Sequence, residues 1–521
     1  MKYDLDLLDF ANIRRVLQQY AKTPYGKELA QHFEPAPSLE IAQEMQDSVT
    51  SARKLIDIKV DFSPEDVPNC RAALKQASNP GAMLSAQAFA NMRQLICVGE
   101  YLKSFVETYE GLIPTKNQDF TLPNQLKDKI SKAITDAGRL KPDASKKLED
   151  LHRQIKSLKE ETIIKAKNYI KKENLTDYLD QQNKIHWHGD HLVFLVKAQH
   201  LNEIKGVIKG SQSAGAIQMI EPMILLAENN KLEKLSQEIY AEQQAILRSL
   251  STDVAQEVVS LLQLIDVITW VDIVFSAAHL SALMNASAPK LTHSRVIQLD
   301  QVYHPTLLIQ FIQGTLAMPV PVSVDLREKE PFMLITGPNT GGKTVVLKTV
   351  GLLQVMAQCG LHIPSEGSCE LGWFDTIMVD MGDRQSMYHQ LSTFAGHVEV
   401  MRNILQNAKP GSLFLLDELG TGTDPEEGAS IAMAMIDTLI EKGSFGIVNT
   451  HLPQLKPYAK NHENIKHAAM LFDPVNLTPN YQLEVGKLGQ SLGLIIAEKN
   501  GLDRQVIEKA KKYHRVISTK D

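Results

Sequence analysis

Gly337-Pro338-Asn339-Thr340-Gly341-Gly342-Lys343-Thr344 fills every position of the phosphate-loop pattern G-x-x-x-x-G-K-[ST], directly after the apolar run Phe332-Met-Leu-Ile335. Glycines let backbone N–H groups curl around phosphates, Lys343 reaches the β- and γ-phosphates, and the Thr344 hydroxyl ligates Mg²⁺. A purely structural glycine loop is the alternative, and the flanking strand and helix patterns speak against it. The stretch predicts an α/β P-loop domain with ATP and Mg²⁺ as ligands.

Such a loop demands an acidic residue at the end of another buried strand, and Ser412-Leu-Phe-Leu-Leu-Asp417-Glu418 supplies it. Asp417 would hold Mg²⁺, directly or through water, while Glu418 orients and deprotonates the attacking water. Adjacent carboxylates elsewhere are usually solvated surface; here four apolar residues precede them, which favours catalysis. Gly446-Ile-Val-Asn-Thr450-His451 reads as a further short strand ending in a histidine placed to sense the γ-phosphate.

The 521-residue chain is long enough for several domains, and its ordinary composition is that of a globular protein with ample core. A net charge of −6 does not announce a nucleic-acid binder, so charge is read segment by segment. Cys70, Cys97, Cys359 and Cys369 contain no C-x-x-C pair and suggest no disulfide framework, which fits a reducing cytoplasm. Met1-Lys-Tyr-Asp-Leu-Asp lacks the apolar core of a signal peptide. Val258 to Met284 is the most membrane-like stretch; it carries Gln263, Asp266 and Asp272 and reads as a buried helix, so no membrane is expected.

Residues 1–120 show helical periodicity, as at Leu7-Leu8, Ile13, Val16-Leu17 and Tyr20, and form a helical core. Leu148, Leu151, Ile155 and Leu158 recur at spacings of 3, 4 and 3, and Leu232, Leu235, Ile239, Ile246 and Leu250 nearly repeat them, predicting two long helices packed as a coiled coil within 121–284. Between them, at about 185–222, three runs read as strands: His191 to Lys197, Ile204 to Lys209 and Ala216 to Ile220. The result is a lever with a β-containing clamp. Its outgoing helix, Lys141 to Lys172, holds ten Lys and Arg against five Asp and Glu. That stripe would either neutralise phosphates or serve as a solvated coiled-coil face.

Three features resemble sites without supplying one. His186, His188 and His191 lack a carboxylate or cysteine partner for zinc. Phe105-Val-Glu107 mimics a DNA-wedging Phe-x-Glu but lies in a helical stretch. Gly206 to Gly215 reads as a turn more readily than as a phosphate nest.

Together with the P-loop, Gly360-Leu-His-Ile-Pro-Ser365, Leu391-Ser-Thr-Phe394, Leu415 to Pro425 (LLDELGTGTDP) and Asn449-Thr-His451 closely resemble the MutS family. Their variants, with Thr23-Pro-Tyr-Gly-Lys-Glu28, resemble the second bacterial MutS type over nearly the whole chain. The resemblance implies an ABC-type ATPase domain at 285–521 with C-terminal dimerisation helices, and a homodimer with two composite ATP sites. It implies that Asn339 lies by the γ-phosphate, that Ser392 and Thr393 approach the partner's γ-phosphate, and that Gln385 touches Mg²⁺ or the lytic water. His304-Pro305 resembles the segment leading into the ATPase, and Val320-Pro321 the one bordering the adenine. Mismatch-recognition and connector domains are not expected before the helical region, nor an Smr nuclease domain after the basic helix Arg504 to Arg515.

The function expected is an ATP-hydrolysing clamp on duplex, branched or mismatched DNA, in mismatch repair or recombination control. The alternative is an ATPase handling stalled or collided ribosomes, because phosphate contacts do not identify the nucleic acid. A transporter ATPase would want LSGGQ where Leu391-Ser-Thr-Phe394 stands. A non-hydrolysing scaffold would have no need of both Asp417 and Glu418.

Overall fold

The computed structural model describes residues 2–109, 120–181, 184–212, 215–337, 341–381, 393–473, 478–489, 494, 497–498 and 501–518. Two compact units emerge, one of Met1–Ser63, Phe105–Asn117 and Thr269–Asp521, the other of Pro64–Ser104 and Gln118–Ile268. These units cut across the consecutive stretches 1–120, 121–284 and 285–521, because Met1–Ser63 groups with the P-loop part of the chain.

The first unit is built on a seven-stranded sheet in the order Lys2–Tyr3, Thr376–Asp380, Ser412–Leu416, Phe445–Asn449, Phe332–Thr336, Ile465–Asp473, Thr478–Val485. Every pairing is parallel except the last, an antiparallel hairpin. The four strands from Thr376–Asp380 to Phe332–Thr336 are buried at every position, which explains why they read as unbroken apolar runs rather than alternating ones. One face packs Phe332, Leu334, Phe414, Leu416 and Val448 against Ala429, Ala432, Met435, Ile436 and Leu439 of the helix Pro425–Glu441. The helix Lys343–Gln358 is buried along most of its length. Within it Gln354 donates to Gly372 O and to Gln358 Oε1, and Gln358 donates to Phe374 O and Tyr3 Oη, so both buried amides bond across to neighbouring chain. A four-stranded sheet of Lys290–Thr292, Glu370–Gly372, Val296–Val302 and Val322–Arg327 belongs to the same unit.

Thr23-Pro-Tyr-Gly-Lys-Glu28 has a structural account. Thr23 caps the helix Pro24–Gln31 through Gly26 N, and its N–H and hydroxyl donate to Asp272 Oδ2 at 2.8 and 2.6 Å. Asp272 lies on Val258–Leu283, the one helix among the described residues long and apolar enough to cross a membrane. Two thirds of that helix's apolar window is buried, and its aspartate anchors the cap. Phe105 is buried against Phe62 and Phe275, so the Phe-x-Glu lookalike is core packing.

In the second unit, Lys146–Lys172 and Leu226–Gln256 pack together through Leu148, Leu151 and Leu158 against Leu232, Leu235 and Ile239. Between them in sequence lies an antiparallel sheet ordered Ile185–His188, His191–Lys197, Ile217–Pro222, Gly206–Gln212. Ile185–His188 is a strand beyond the three expected, and Gly206–Gln212 is a strand rather than a turn or a nest; residues 213–214 lie outside the described residues. His191 Nδ1 bonds the buried Glu221 at 2.6 Å, and Glu221 also accepts from Asn229 Nδ2 and pairs with Lys209. The histidine thus ties two strands of the sheet together, and Asn229, through Glu221 and the Leu192 backbone, fastens that sheet to the returning helix.

Candidate nucleotide site

In a parallel sheet, ligands bind outside the carboxyl ends of the strands. The strand order sets Phe445–Asn449 between the strands that end at Leu416 and Thr336, so Asp417, Asn449 and Gly337 emerge side by side. Three hydrogen bonds fix the group. Thr344 Oγ1 donates to Asp417 Oδ2 at 2.6 Å, Asn449 Nδ2 donates to Asp417 Oδ1 at 3.1 Å, and Lys343 Nζ donates to Gly337 O at 2.8 Å. Asp417 N donates to Asp380 O at 2.8 Å, holding the turn out of the strand. A neutral donor on a carboxylate is worth about 1.5–3 kcal/mol, enough to fix the hydroxyl rotamer.

Lys343 is 3% exposed. Burial lowers its pKa, the Asp417 and Glu418 carboxylates oppose that shift, and the charge of Lys456 adds to it. Gly342, the helix N-cap, has φ +90°, and a Cβ there would come within 3.1 Å of Tyr481 Cδ1. The positive φ calls for glycine, and the Tyr481 ring would have to give way to a Cβ.

Glu418 takes φ +55°, unusual for a residue with a side chain, and its Oε1 lies 4.0 Å from His451 Nδ1. Both side chains are solvent-accessible, whereas Asp417 is 8% exposed. Two adjacent carboxylates thus face different surroundings, one buried and the other solvent-accessible.

The donor set fits Mg²⁺. Asp417 and the Thr344 hydroxyl are hard oxygen ligands already converging, and the buried Asn449 Oδ1 has no hydrogen-bond partner among the described residues. Asn449 enters the sequence reading only as part of a motif; its signal is a polar residue closing an apolar strand beside the acidic one.

Of the expected residues, Gly337, Gly341, Gly342, Lys343, Thr344, Asp417, Glu418 and His451 fall at this edge. Pro338, Asn339, Thr340, Gln385 and Ser392 lie outside the described residues, and Thr393 opens the helix Thr393–Asn407. Val320 is half-buried just ahead of the strand Val322–Arg327.

The rest of the acidic motif is architecture. Asp424 Oδ1 accepts from Glu426 N and Glu427 N, capping a helix whose first residue is Pro425. Gly420 and Gly428 approach so closely that a Cβ on Gly428 would stand 2.0 Å from Gly420 O.

Residues 333–518 match the family model for MutS domain V. The chain is 34% identical over 519 residues to Endonuclease MutS2 of Carboxydothermus hydrogenoformans, an alignment spanning 98% of this chain and 64% of that protein. The chain is thus MutS2-like, with MutS domain V at residues 333–518. The proteins of the same name from Bacillus cereus (strain B4264) and Geobacillus sp. (strain WCH70) are 31% and 30% identical to this MutS2-like chain, over 64% and 65% of their lengths. The chain therefore spans just under two thirds of the relatives it matches.

Proposed function

We propose that this chain is a Mg²⁺-dependent ATPase whose cycle drives a basic two-helix arm acting on DNA. The 2.6 Å bond joining Thr344 to Asp417, with Lys343 beside it, carries the reading. It brings the end of the phosphate loop and the acidic strand end into one oxygen-rich site.

Thr344 and Asp417 would hold Mg²⁺, which when bound neutralises charge on the β- and γ-phosphate oxygens. Lys343 binds the same phosphates as a point charge. Glu418, accessible and near His451, accepts the proton of the attacking water and aligns it. His451 then faces the γ-phosphate side of the site. Asn449 keeps the Asp417 carboxylate from rotating. In the family's arrangement, Ser392 and Thr393 would complete the partner's site in a homodimer, and Asn339, Gln385 and Val320 would contact the γ-phosphate, Mg²⁺ or water, and the adenine.

Lys146–Lys172 and Leu226–Gln256, with the sheet between them, would form the lever and clamp within 121–284, following a helical core at 1–120 and leading to the ABC-type ATPase at 285–521. Part of the basic stripe is already neutralised, since Lys147 pairs with Glu242, Lys165 with Glu228, and Arg153 with Glu149 and Asp150. Lys156, Lys167, Lys171 and Lys172 are exposed and available to phosphates. ATP can close such an arm only by binding the closed state more tightly than the open one. No nuclease chemistry is assigned to these residues.

ATP hydrolysis measured alone and with duplex, branched or mismatched DNA, or ribosomes, tests the reading. Stimulation by branched or mismatched DNA supports it. Stimulation by ribosomes alone would replace DNA with a ribonucleoprotein, and equal rates throughout would remove the clamp.

A further inference from the structure

Lys456 belongs to none of the sequence motifs. It lies on the short helix Leu455–Asn461 that follows Asn449-Thr-His451, is half-buried, and donates from Nζ to Gly489 O at 2.7 Å. Gly489 in turn touches the root of the phosphate loop. Its N–H donates to Thr336 Oγ1 at 2.8 Å, and a Cβ on Gly489 would stand 2.8 Å from Gly337 N. Thr336 Oγ1 donates its own proton to Ala468 O at 3.2 Å. The other end of the Gly486–Gly489 stretch is bonded as well: Gly486 N donates to His467 O at 2.8 Å and Gly486 O accepts from His467 Nε2 at 3.0 Å. A length of backbone is thus pinned across the last residue of the P-loop strand, with an ammonium group at the pin nearest the loop.

We propose that Lys456 is a positioning residue of the ATP site, holding Gly489 against Thr336 and Gly337 where the strand becomes the phosphate loop. The hydrogen-bond path runs from Lys456 through Gly489 to those residues, so removing the ammonium frees that path at its outer end. The ammonium is half withdrawn from water with a carbonyl for its acceptor, and burial lowers its pKa. This role rests on the reading of the site as one for ATP.

The test is equilibrium binding of a fluorescent ATP analogue to the full chain at neutral pH, with kcat and KM, for the wild type, Lys456→Met, Lys456→Gln and Lys456→Arg. Wild-type binding checks the ATP reading by itself; a wild type that binds no nucleotide sinks that reading and this inference with it. With binding established, Lys456→Met and Lys456→Gln are expected to weaken affinity about tenfold, the size of one charge-assisted hydrogen bond, with KM rising in step and kcat changing less. Lys456→Arg should restore both affinity and KM. Affinity and KM equal to wild type in the neutral variants overturn the proposal. So does weakened binding that Lys456→Arg leaves unrestored, which would leave Lys456 a packing role alone. If one neutral variant fails to fold by thermal unfolding, the other carries the comparison.

Discussion

Glu418 occupies a left-handed backbone conformation, φ +55°, that costs a residue with a side chain about 1 kcal/mol or more. Glycine would take that conformation without the cost, which the proposed role of Glu418 as base would offset. Glu418→Gln should bind ATP normally and lose at least about a hundredfold in turnover; unchanged hydrolysis would remove it as the base. Glu418→Gly should lose the same activity while its melting temperature holds or rises, and a drop of several degrees would assign the residue a structural role. His362 gives a pH signature. Buried between Ser281 Oγ at 2.8 Å and Thr50 Oγ1 at 2.9 Å, it has its pKa lowered by burial to about 4. The unfolded chain takes up this proton near pH 6.5, whereas the folded one refuses it until about pH 4. Stability from this group is therefore complete above about pH 6.5 and lost as pH falls through that window, by on the order of 3 kcal/mol. His304, lowered to about 4 chiefly by burial, adds to the same slope. Denaturant midpoints measured from pH 7 to pH 4 should decline less steeply in His362→Gln, and identical slopes would contradict the assignment.

At the scale of elements, the acidic motif divides between chemistry and construction. Asp417 and Glu418 face the site, whereas Gly420, Asp424, Pro425 and Gly428 bend the chain and start a helix. Gly428→Ala should destabilise by about 2 kcal/mol or more through the clash with Gly420 O, and Asp424→Ala by about 1 kcal/mol through removal of the cap. Chemical denaturation compares the two, and a milder Gly428→Ala would mean that the turn relaxes. The same contrast explains what the sequence made legible. Strands buried on both faces stand out as apolar runs, so Phe332–Thr336 and Ser412–Leu416 could be read with the residues that end them. The paired helices were legible too, because Leu148, Leu151, Leu232 and Leu235 keep a helical spacing. Lys2–Tyr3 is too short to leave a pattern, and Ile185-His-Trp-His188 is too polar to announce a strand. Lys456 and Asn449 were hidden for another reason: their partners are distant in sequence, and only the strand order brings them to the loop.

For the molecule as a whole, a net charge of −6 conceals a basic helix, and the proposed arm should reveal it through salt. Reversing Lys156, Lys167, Lys171 and Lys172 to Glu should weaken DNA binding and reduce the slope of log K against log salt by nearly one for each phosphate no longer neutralised. DNA-free ATP hydrolysis should be spared; an unchanged slope would mean that other residues meet the phosphates. The N-terminal strand has a different reach. Tyr3 bonds Phe374 O from 371 residues away, and Lys2 and Tyr3 pair with Thr376 and Ile377. Asp4 continues the seam, accepting from Val379 N at 2.9 Å. At a synthesis rate of about 5–20 residues per second, this strand waits roughly 20 to 75 seconds for its neighbour to be made. Between its own formation and the docking of Lys2–Tyr3, Thr376–Asp380 presents an open edge to other chains. Residues translated well before their partner strand must wait for it, and when they dock they cover that edge of the sheet.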